Sequence, residues 1–511
     1  MSAENNKIVR AITGVTFVMV FSKLLAMLRS ILQAQEFGAG VDVDAFIQAS
    51  NYTVALFTTV AYALCVAAIP RISGMLMQSR DAAKRTADRL ISNTMLLSVL
   101  VMIVLIVLGL AGIPEMLLGI DQESVFKFCF VALSATLPVV VLTYLLLAMF
   151  QSLGHFALQG TLGLLYNLVL SAALVLLAGK MSIRLFALLT AVCWLLQLSM
   201  IFPAMRKEGY YPRLRLNLRD REYWDFLRTG VITAFNSALF LLCYLVNTLF
   251  AASAPAGTVS AFFYADKLYE PLTSTLAYSV SIVLFPKFSQ QYQKVSQEEY
   301  QQSVVYMMKN TLLLVLPVSM LFSAFGTPVI RVLFEGGSFT MQDSLLCGGI
   351  FSIYAMGMAG FFMLDILNKA YYAMGKTMVP LCVSGGILAF CVLFNTWCVT
   401  RFPEKPMLLA LGTSLGFLLG GIVLYIRFAR GGQGVKMPVK QLLWGTVLSV
   451  LLGVAAFWSY HFFLGNTASK LTMVVVCLCI GVVGMLLYLL LMGTMVPTRE
   501  ILEKLRNRKE R

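Results

Sequence analysis

Charged side chains occur inside several long apolar segments of the chain, where a charge is costly. A lysine or arginine at the centre of a bilayer costs about 3 kcal/mol on insertion scales, so each such residue is a functional candidate. One apolar segment carries Lys23 and Arg29 in FSKLLAMLRS, and a later one carries Lys267 in YADKLYEP. Lys23 lies about 13 Å along a helix from the nearer end of its segment. These positions predict a cationic site within the membrane.

Three cations in one cavity suit an anionic ligand, above all a phosphate or diphosphate, which lysine meets as a point charge and arginine as a fork. Polar groups on the same segments can bind sugar hydroxyls or close a gate by pairing with the cations. These predicted neighbours are Asp44, Asn51, Ser260 and Glu270. Lys267 faces Glu270 three residues on along the helix, so the alternative is a structural ion pair that neutralises it.

Other intramembrane charges have simple structural interpretations. Arg29 and Asp44 stand near enough to segment ends for their charged groups to reach the membrane interface. Asp365 and Lys369 are four residues apart with the acid first, which is the favourable order for an ion pair along one helix. We therefore predict a local ion pair at Asp365 and Lys369 rather than a binding site.

The elements that must position these residues are long apolar helices. Hydrophobic residues make up 59% of the 511 residues and charged residues 12%, against roughly 25% charged in soluble proteins. Apolar runs of about 18 residues or more recur throughout, and each is long enough to cross a bilayer core. We predict an all-α polytopic membrane protein with about 14 transmembrane helices, centred near residues 20, 56, 100, 137, 167, 194, 238, 272, 315, 358, 388, 416, 452 and 481.

The basic residues behind the net charge of +15 are distributed unevenly between the two sides of this arrangement. With fourteen spans, 28 lysines and arginines fall on one side of the membrane and six on the other. Cytoplasmic loops of membrane proteins carry such an excess, so the split predicts both termini in the cytoplasm. It also attributes the basic charge to membrane topology rather than to nucleic-acid binding.

Two segments of the chain resemble each other at a constant offset of 216 residues. The sequence DAFIQA at 44–49 and IPRIS at 69–73 recurs as SAFFYA at 260–265 and FPKFS at 285–289. A register kept this long predicts two duplicated helix bundles, an arrangement in which transporters place their site between the repeats. Residues that break helices lie beside the predicted site, namely Gly14, Gly38, Gly40, Pro255, Gly257 and Pro271.

Cofactor chemistry finds little support in the sequence. The ten cysteines sit singly or two apart in apolar runs, and the two histidines, His155 and His461, have no cysteine or carboxylate cluster beside them. No nucleotide-binding loop or nucleophile motif is present. We predict a protein that is not an enzyme and has no resident cofactor, with a coupling ion, Na⁺ or H⁺, left open.

Three motifs carry a resemblance to the MviN/MurJ lipid II flippases, a family of the multidrug/oligosaccharidyl-lipid/polysaccharide exporter superfamily. The first is FGAG at 37–40 followed by DAF at 44–46. The second runs from Ser260 through YADKL at 264–268 to Glu270, and the third is LFEGGSFT at 333–340. The second and third are fairly specific to this family within its superfamily.

The resemblance implies a fold of two six-helix bundles in a V, at 1–205 and 223–430, with two further helices at 441–492 forming a groove for an undecaprenyl tail. A basic cytoplasmic tail follows at 493–511. It implies a flippase of the bacterial inner membrane that moves the lipid-linked peptidoglycan precursor, lipid II, to the outer leaflet by alternating access. Partners would be lipid II, the bilayer and the cell-wall synthesis machinery. Carried over by position, the substrate-binding residues are Lys23, Arg29 and Lys267, with Asp44, Asn51, Ser260 and Glu270 as polar neighbours.

Two departures from the family pattern leave an alternative substrate open. Lys23 and Lys267 stand where the family usually has arginine, and the second span after Asn51 lacks the expected basic residue. The main alternative is a flippase for another polyprenyl-diphosphate-linked glycan, of the O-antigen or capsule type. A cation-coupled drug antiporter should carry more intramembrane carboxylates, and a polyprenyl-sugar polymerase should carry larger outer loops. A membrane scaffold would leave Lys23 unexplained.

Overall fold

The computed structural model describes residues 21–274 except 119, 121, 122 and 156, together with 292, 295–430, 439–464 and 469–493. In these residues the regular structure is helical and no β-strand is formed. This confirms the predicted all-α fold, which follows from long apolar runs that must satisfy their backbone hydrogen bonds internally.

The helices of the first half of the chain begin with α1 at 21–37 and end with α13 at 258–274. Those between them are α2 Val41–Ser50, α3 Leu56–Leu76, α4 Arg80–Leu110, α5 Ile113–Leu118, α6 Glu123–Ser134, α7 Leu137–Ser152, α8 Ala157–Leu176, α9 Ile183–Ser199, α10 Phe202–Glu208, α11 Arg221–Ser237 and α12 Leu239–Ala251. A π-helical turn, Asn51–Ala55, joins α2 to α3.

The second half continues with α14 Gln297–Ala324, α15 Gly326–Phe334, α16 Met341–Met356, α17 Met358–Ala373, α18 Met378–Arg401, α19 Leu409–Arg430, α20 Val439–Leu464 and α21 Lys470–Gly493. Lys369 and Asp365 of α17 form the ion pair that their spacing predicts.

Nine of the described helical segments are long and apolar enough to cross a membrane, or ten if α16 and α17, bent by 43° at Gly357, form one span. The four other predicted spans coincide with the shorter apolar helices Gly160–Leu176 and Leu241–Ala251, and with α1 and α13, which lie at the edges of the described residues. The chain is therefore a multi-pass membrane protein, and the count of fourteen stays a prediction.

Contacts divide the chain into two compact units. The first is Met1–Lys267 with Gly336–Asp343, and the second is Leu268–Glu335 with Ser344–Arg511. In the first unit, α3 packs against α4, α7 and α11. Ala61, Leu64 and Leu145 lie in this core, and Gly230 of α11 allows Leu64 to approach closely.

In the second unit, α14 packs along α17 and α20, and α20 packs along α21. Glycines permit the close approaches, because a Cβ at Gly453 would lie 3.2 Å from Met320 and Gly484 faces Leu452. The most apolar stretches of α20 and α21 are only 17% and 11% buried. These two helices therefore expose apolar side chains over most of their surface.

The predicted bundle boundaries at 1–205, 223–430 and 441–492 stay predictions. The second end of the sequence repeat, at 285–289, lies outside the described residues, as do Gly14 and the predicted tail beyond Gly493. The predicted helix breaks at Gly38–Gly40 and Pro255–Gly257 fall between α1 and α2 and between α12 and α13.

Candidate substrate-binding site

Three segments that are distant in sequence meet in the first unit, and we call them the three-segment cluster: residues 35–44, 257–264 and 336–340. They are the same three stretches that carry the family motifs. Their contacts are mostly with backbone atoms. The sequence identified the motifs one by one, and the structure shows that they bind one another.

Asp44 joins the first two segments by capping the start of α13. Its carboxylate accepts the backbone N–H of Gly257 at 2.8 Å and that of Ser260 at 2.7 Å. It also accepts the Ser260 hydroxyl. The first N–H groups of a helix lack partners within the helix, and a carboxylate suits their partial positive charge. Asp44 and Ser260 occupy equivalent positions of the sequence repeat, so the repeat brings its own matching residues together.

Glycines allow the first and third segments to touch. Gly38 has φ +67°, and a Cβ there would overlap the Ser338 carbonyl oxygen. Gly337 has φ +56°, and a Cβ there would overlap the Gln35 carbonyl oxygen. Ser338 closes the contact by donating its N–H to Gln35 O at 2.8 Å and its hydroxyl to Glu36 O at 3.0 Å. At both positions, glycine permits the left-handed backbone conformation and also the close approach of the neighbouring segment.

Tyr264 of α13 contacts both the segment 35–44 and the segment 336–340. Its hydroxyl donates to the Gly38 carbonyl at 3.3 Å, and its ring meets that of Phe339 edge to face with centroids 5.5 Å apart. Tyr264 is fully buried.

The contact at Gly337 gives a testable effect on stability. Gly337→Ala is expected to lower the free energy of unfolding by several kcal/mol, because it adds a backbone clash to the cost of about 1–2 kcal/mol for a side chain at positive φ. Gly209 has the same φ of +56° with nothing within 4 Å of a Cβ, so Gly209→Ala should show only the backbone cost. The measurement is the thermal unfolding midpoint in detergent. Equal shifts for the two variants would show that the Gly337 contact contributes nothing.

Arg29 is held in a fixed orientation on α1. Its Nε donates to Asn167 Oδ1 of α8 at 3.0 Å, and its guanidinium lies 5.6 Å from the centre of the Tyr166 ring. A second, longer hydrogen bond of 3.5 Å goes to Gln33. No carboxylate is among these partners, so the positive charge is oriented without being neutralised by them. The sequence pattern did not single out Asn167, because α8 also carries other polar residues, namely Gln159, Thr161 and Ser171.

Lys267 on α13 is half-buried. Its Nζ lies 3.7 Å from Asp266 Oδ2 and 5.2 Å from the centre of the Phe263 ring. Asp266 is 6% exposed and Lys267 is the more accessible partner. Lys267 is thus paired with its neighbour Asp266, whereas the helical spacing indicates Glu270 as the partner. The length of this ion pair leaves the ammonium room to turn toward another anion.

The remaining predicted residues fall on the same helices. Lys23 is half-buried on α1 and Glu270 is half-buried on α13, within the second unit. Asn51 is buried at the start of the π-helical turn, three residues after buried Gln48. Within the described residues, Gln48 Oε1 has no hydrogen-bond partner. Buried polar atoms of this kind and π-helical turns both mark functional positions.

Taken together, the described chain is an all-α, multi-pass membrane protein with basic residues on α1 and α13, a class that fits transporters of anionic substrates. The family model for the lipid II flippase MurJ matches residues 33–495. The chain belongs to this family.

Similar proteins agree with that assignment. The chain is 25% identical over 445 residues to a lipid II flippase MurJ of Burkholderia cenocepacia, covering 84% of this chain and 85% of the relative. It is 22% identical over 470 residues to a probable lipid II flippase MurJ of Haemophilus influenzae, covering 86% and 90%.

Solved structures share the fold. A lipid II flippase MurJ in an inward closed conformation matches with a TM-score of 0.78 at 18% identity, covering 94% of this chain and 99% of the other. An inward-facing multidrug transporter of the MATE family matches more distantly, with a TM-score of 0.65 at 14% identity, covering 80% and 94%. The predicted family and the assignment as a lipid II flippase rather than an enzyme are confirmed.

Proposed function

We propose that the chain moves lipid II from the inner to the outer leaflet of the bacterial cytoplasmic membrane by alternating access, binding the diphosphate through Lys23, Arg29 and Lys267. The observation that carries this proposal is the location and partial burial of the three cations. All three lie on α1 or α13 in the first unit and are half-buried, neither fully exposed at a surface nor sealed in a core. A half-buried cation interacts more strongly with a phosphate than an exposed one does, because solvent screens it less.

Each cation contributes differently to the diphosphate. Arg29, oriented by Asn167, offers its remaining N–H groups as a fork. Lys267 exchanges Asp266 for the phosphate, so that its ammonium group has an anionic partner whether or not substrate is bound. Lys23 adds a further point charge deep in the first span. Lysine keeps the charge at two positions where the family usually has arginine, and a point charge tolerates a less fixed phosphate geometry.

The three-segment cluster is suited to closing the outer side of the transport pathway. Under the predicted topology, the α1–α2, α12–α13 and α15–α16 connections all lie on the outer side. Asp44 and Ser260 are buried and occupied with each other in this conformation. Release of the α13 cap would then accompany outward opening, and the diphosphate would supply the differential binding energy that drives the change.

The lipid tail is best accommodated by α20 and α21. Both expose apolar side chains over most of their surface, as a pair of helices that contact a polyprenyl chain and bilayer lipid would. Both termini are proposed to be cytoplasmic, from the uneven distribution of basic residues. Cell-wall synthesis enzymes that consume lipid II are proposed partners on the outer side.

The energy source is proposed to be an ion gradient or the membrane potential acting on the cationic residues. If the membrane potential is the energy source, collapsing it with valinomycin and K⁺ should slow flipping in reconstituted vesicles. If a sodium gradient is the source, replacing Na⁺ by choline should slow flipping. No resident cofactor is proposed.

The proposal is tested by complementation of a bacterium depleted of its own lipid II flippase. Wild type should restore growth, and Lys23→Ala should fail at an equal protein level in the membrane. Lys23→Arg, which keeps the charge, should restore growth. If well-expressed wild type fails to restore growth, lipid II is rejected as the substrate. Another polyprenyl-diphosphate-linked glycan then becomes the proposed substrate. Full rescue by Lys23→Ala would reject the role of Lys23.

A further inference from the structure

A second basic site lies in the first unit, remote in sequence from the proposed transport residues. It is a cavity of about 420 Å³ between the first turns of α4 and the segment that follows α10. This volume is within the range of small-molecule sites. Four cations and two carboxylates line it, namely Lys84, Arg85, Arg213, Arg215, Asp81 and Asp88.

One wall of the cavity is the segment 210–217, which is fastened to α4 by side chains of that helix. The N–H of Arg215 donates to Ser92 Oγ at 2.9 Å, and the N–H of Asn217 donates to Asn93 Oδ1 at 2.9 Å. Asn93 Nδ2 returns a hydrogen bond to Asn217 O at 2.9 Å. Bonds at every second residue are typical of an extended chain. Hydrogen bonds to α4 therefore fix the backbone of this segment in one position.

Asp88 is fully engaged in this construction. Its carboxylate accepts the Tyr210 hydroxyl at 2.9 Å and the N–H of Arg213 at 3.1 Å, and it pairs with Arg215 at 3.5 Å. Burial and the Asp88 charge raise the pKa of Tyr210, which keeps its hydroxyl a donor. Asp88 therefore neutralises Arg215 and is not available to the other cations of the cavity.

The other cations outnumber the remaining acid. Lys84 donates to the carbonyl of Gly209 at 3.4 Å, and Arg85 Nε donates to the carbonyl of Asp81 at 3.2 Å. Arg213 uses its backbone N–H for Asp88, and its side chain lines the cavity. Among the residues that line the cavity, Asp81 is the one further carboxylate available to Lys84, Arg85 and Arg213. The cavity carries an excess of positive charge with donors oriented by the backbone.

We propose that this cavity binds a phosphate group through Lys84, Arg85 and Arg213, independently of the transport site. The phosphate can belong to an anionic phospholipid headgroup or to a soluble phosphate ester. Leu214, on the same segment, is 81% exposed and Leu216 51% exposed, and they offer apolar contact if the ligand is a lipid. The proposal adds a site to the flippase and does not depend on how lipid II is bound.

The test is a titration of the full-length protein in nanodiscs with inorganic phosphate, followed by calorimetry. All variants carry Lys267→Ala, so that phosphate bound at the proposed transport site is reduced equally. The pair Lys84→Gln and Arg213→Gln should weaken phosphate binding at least tenfold. The pair Arg219→Gln and Arg228→Gln removes the same charge from nearby exposed positions outside the cavity and should change it less than twofold. Lys84→Arg with Arg213→Lys should retain binding and shows that the loss is not misfolding.

The nanodisc lipid identifies the source of the phosphate. If phosphatidylglycerol nanodiscs abolish the phosphate binding seen in phosphatidylcholine nanodiscs, the ligand is the lipid headgroup. If binding is unchanged, the ligand is a soluble phosphate ester. Equal weakening by the two glutamine pairs, or no phosphate binding by the parent protein, would overturn the proposal.

Discussion

Asp44→Ala is expected to abolish complementation and to lower the stability of the protein. The substitution leaves two backbone N–H groups and the Ser260 hydroxyl without their shared acceptor in a buried position. Hydrogen bonds to a charged group contribute about 1.5–3 kcal/mol each, and a buried donor left without a partner costs a similar amount. The three hydrogen bonds together predict a loss of at least about 4 kcal/mol in the free energy of unfolding. The thermal unfolding midpoint and growth of the depleted strain measure the two effects.

Two further variants distinguish the capping role of Asp44 from a general effect of removing a negative charge. Asp44→Asn keeps one acceptor oxygen and should recover part of the stability, while Asp42→Ala removes an exposed carboxylate from the same helix turn and should behave as wild type. A stable Asp44→Ala protein that fails to transport would assign Asp44 to the substrate or gate alone. A stable and active one would refute the cap.

Lys267→Ala is expected to abolish transport while the protein reaches the membrane in normal amounts. The substitution removes a half-buried cation proposed to bind the diphosphate, and an intramembrane phosphate without its counter-charge is strongly disfavoured. Growth of the depleted strain and export of lipid II in isolated vesicles provide the measurement. Lys267→Arg should retain function, since it keeps the positive charge.

The chain offers a matched control for Lys267. Lys309 of α14 also lies over an aromatic ring of its own helix, 4.8 Å from the centre of Tyr306, so Lys309→Ala removes the same kind of contact outside the proposed site and should transport normally. Lys267→Ala also takes from Asp266 the cation that it faces at 3.7 Å. The double variant Asp266→Asn with Lys267→Ala removes that charge. Recovery of transport in the double variant would show that Lys267 only neutralises Asp266.

The class of protein and the candidate cations could be read from the sequence because both depend on local properties. A run of apolar residues crosses a membrane wherever it stands in the chain, and Lys23 or Lys267 within such a run is visible without knowing its neighbours. The pair Asp365 and Lys369 was predictable for the same reason, since four residues bring two side chains together on any helix.

The partners of the polar residues could not be read in this way. Asp44 was interpreted as a sugar-binding or gating group, and its place at the start of α13 depends on contacts across 213 and 216 residues. Arg29 finds Asn167 across 138 residues. Many polar residues in apolar helices are compatible with such a role, and only the packing of α1 against α8 selects one.

The sequence by itself determined that this is a multi-pass membrane protein of the lipid II flippase family, and which of its apolar runs carry cations, because hydrophobic length, charge placement and motifs are recorded residue by residue. Only the tertiary structure decided that the three motifs bind one another, why Gly38 and Gly337 must be glycine, and that a basic cavity forms beside α4. Those features exist only where distant segments come within hydrogen-bonding distance, and the free energy of such contacts belongs to the pair and not to either residue.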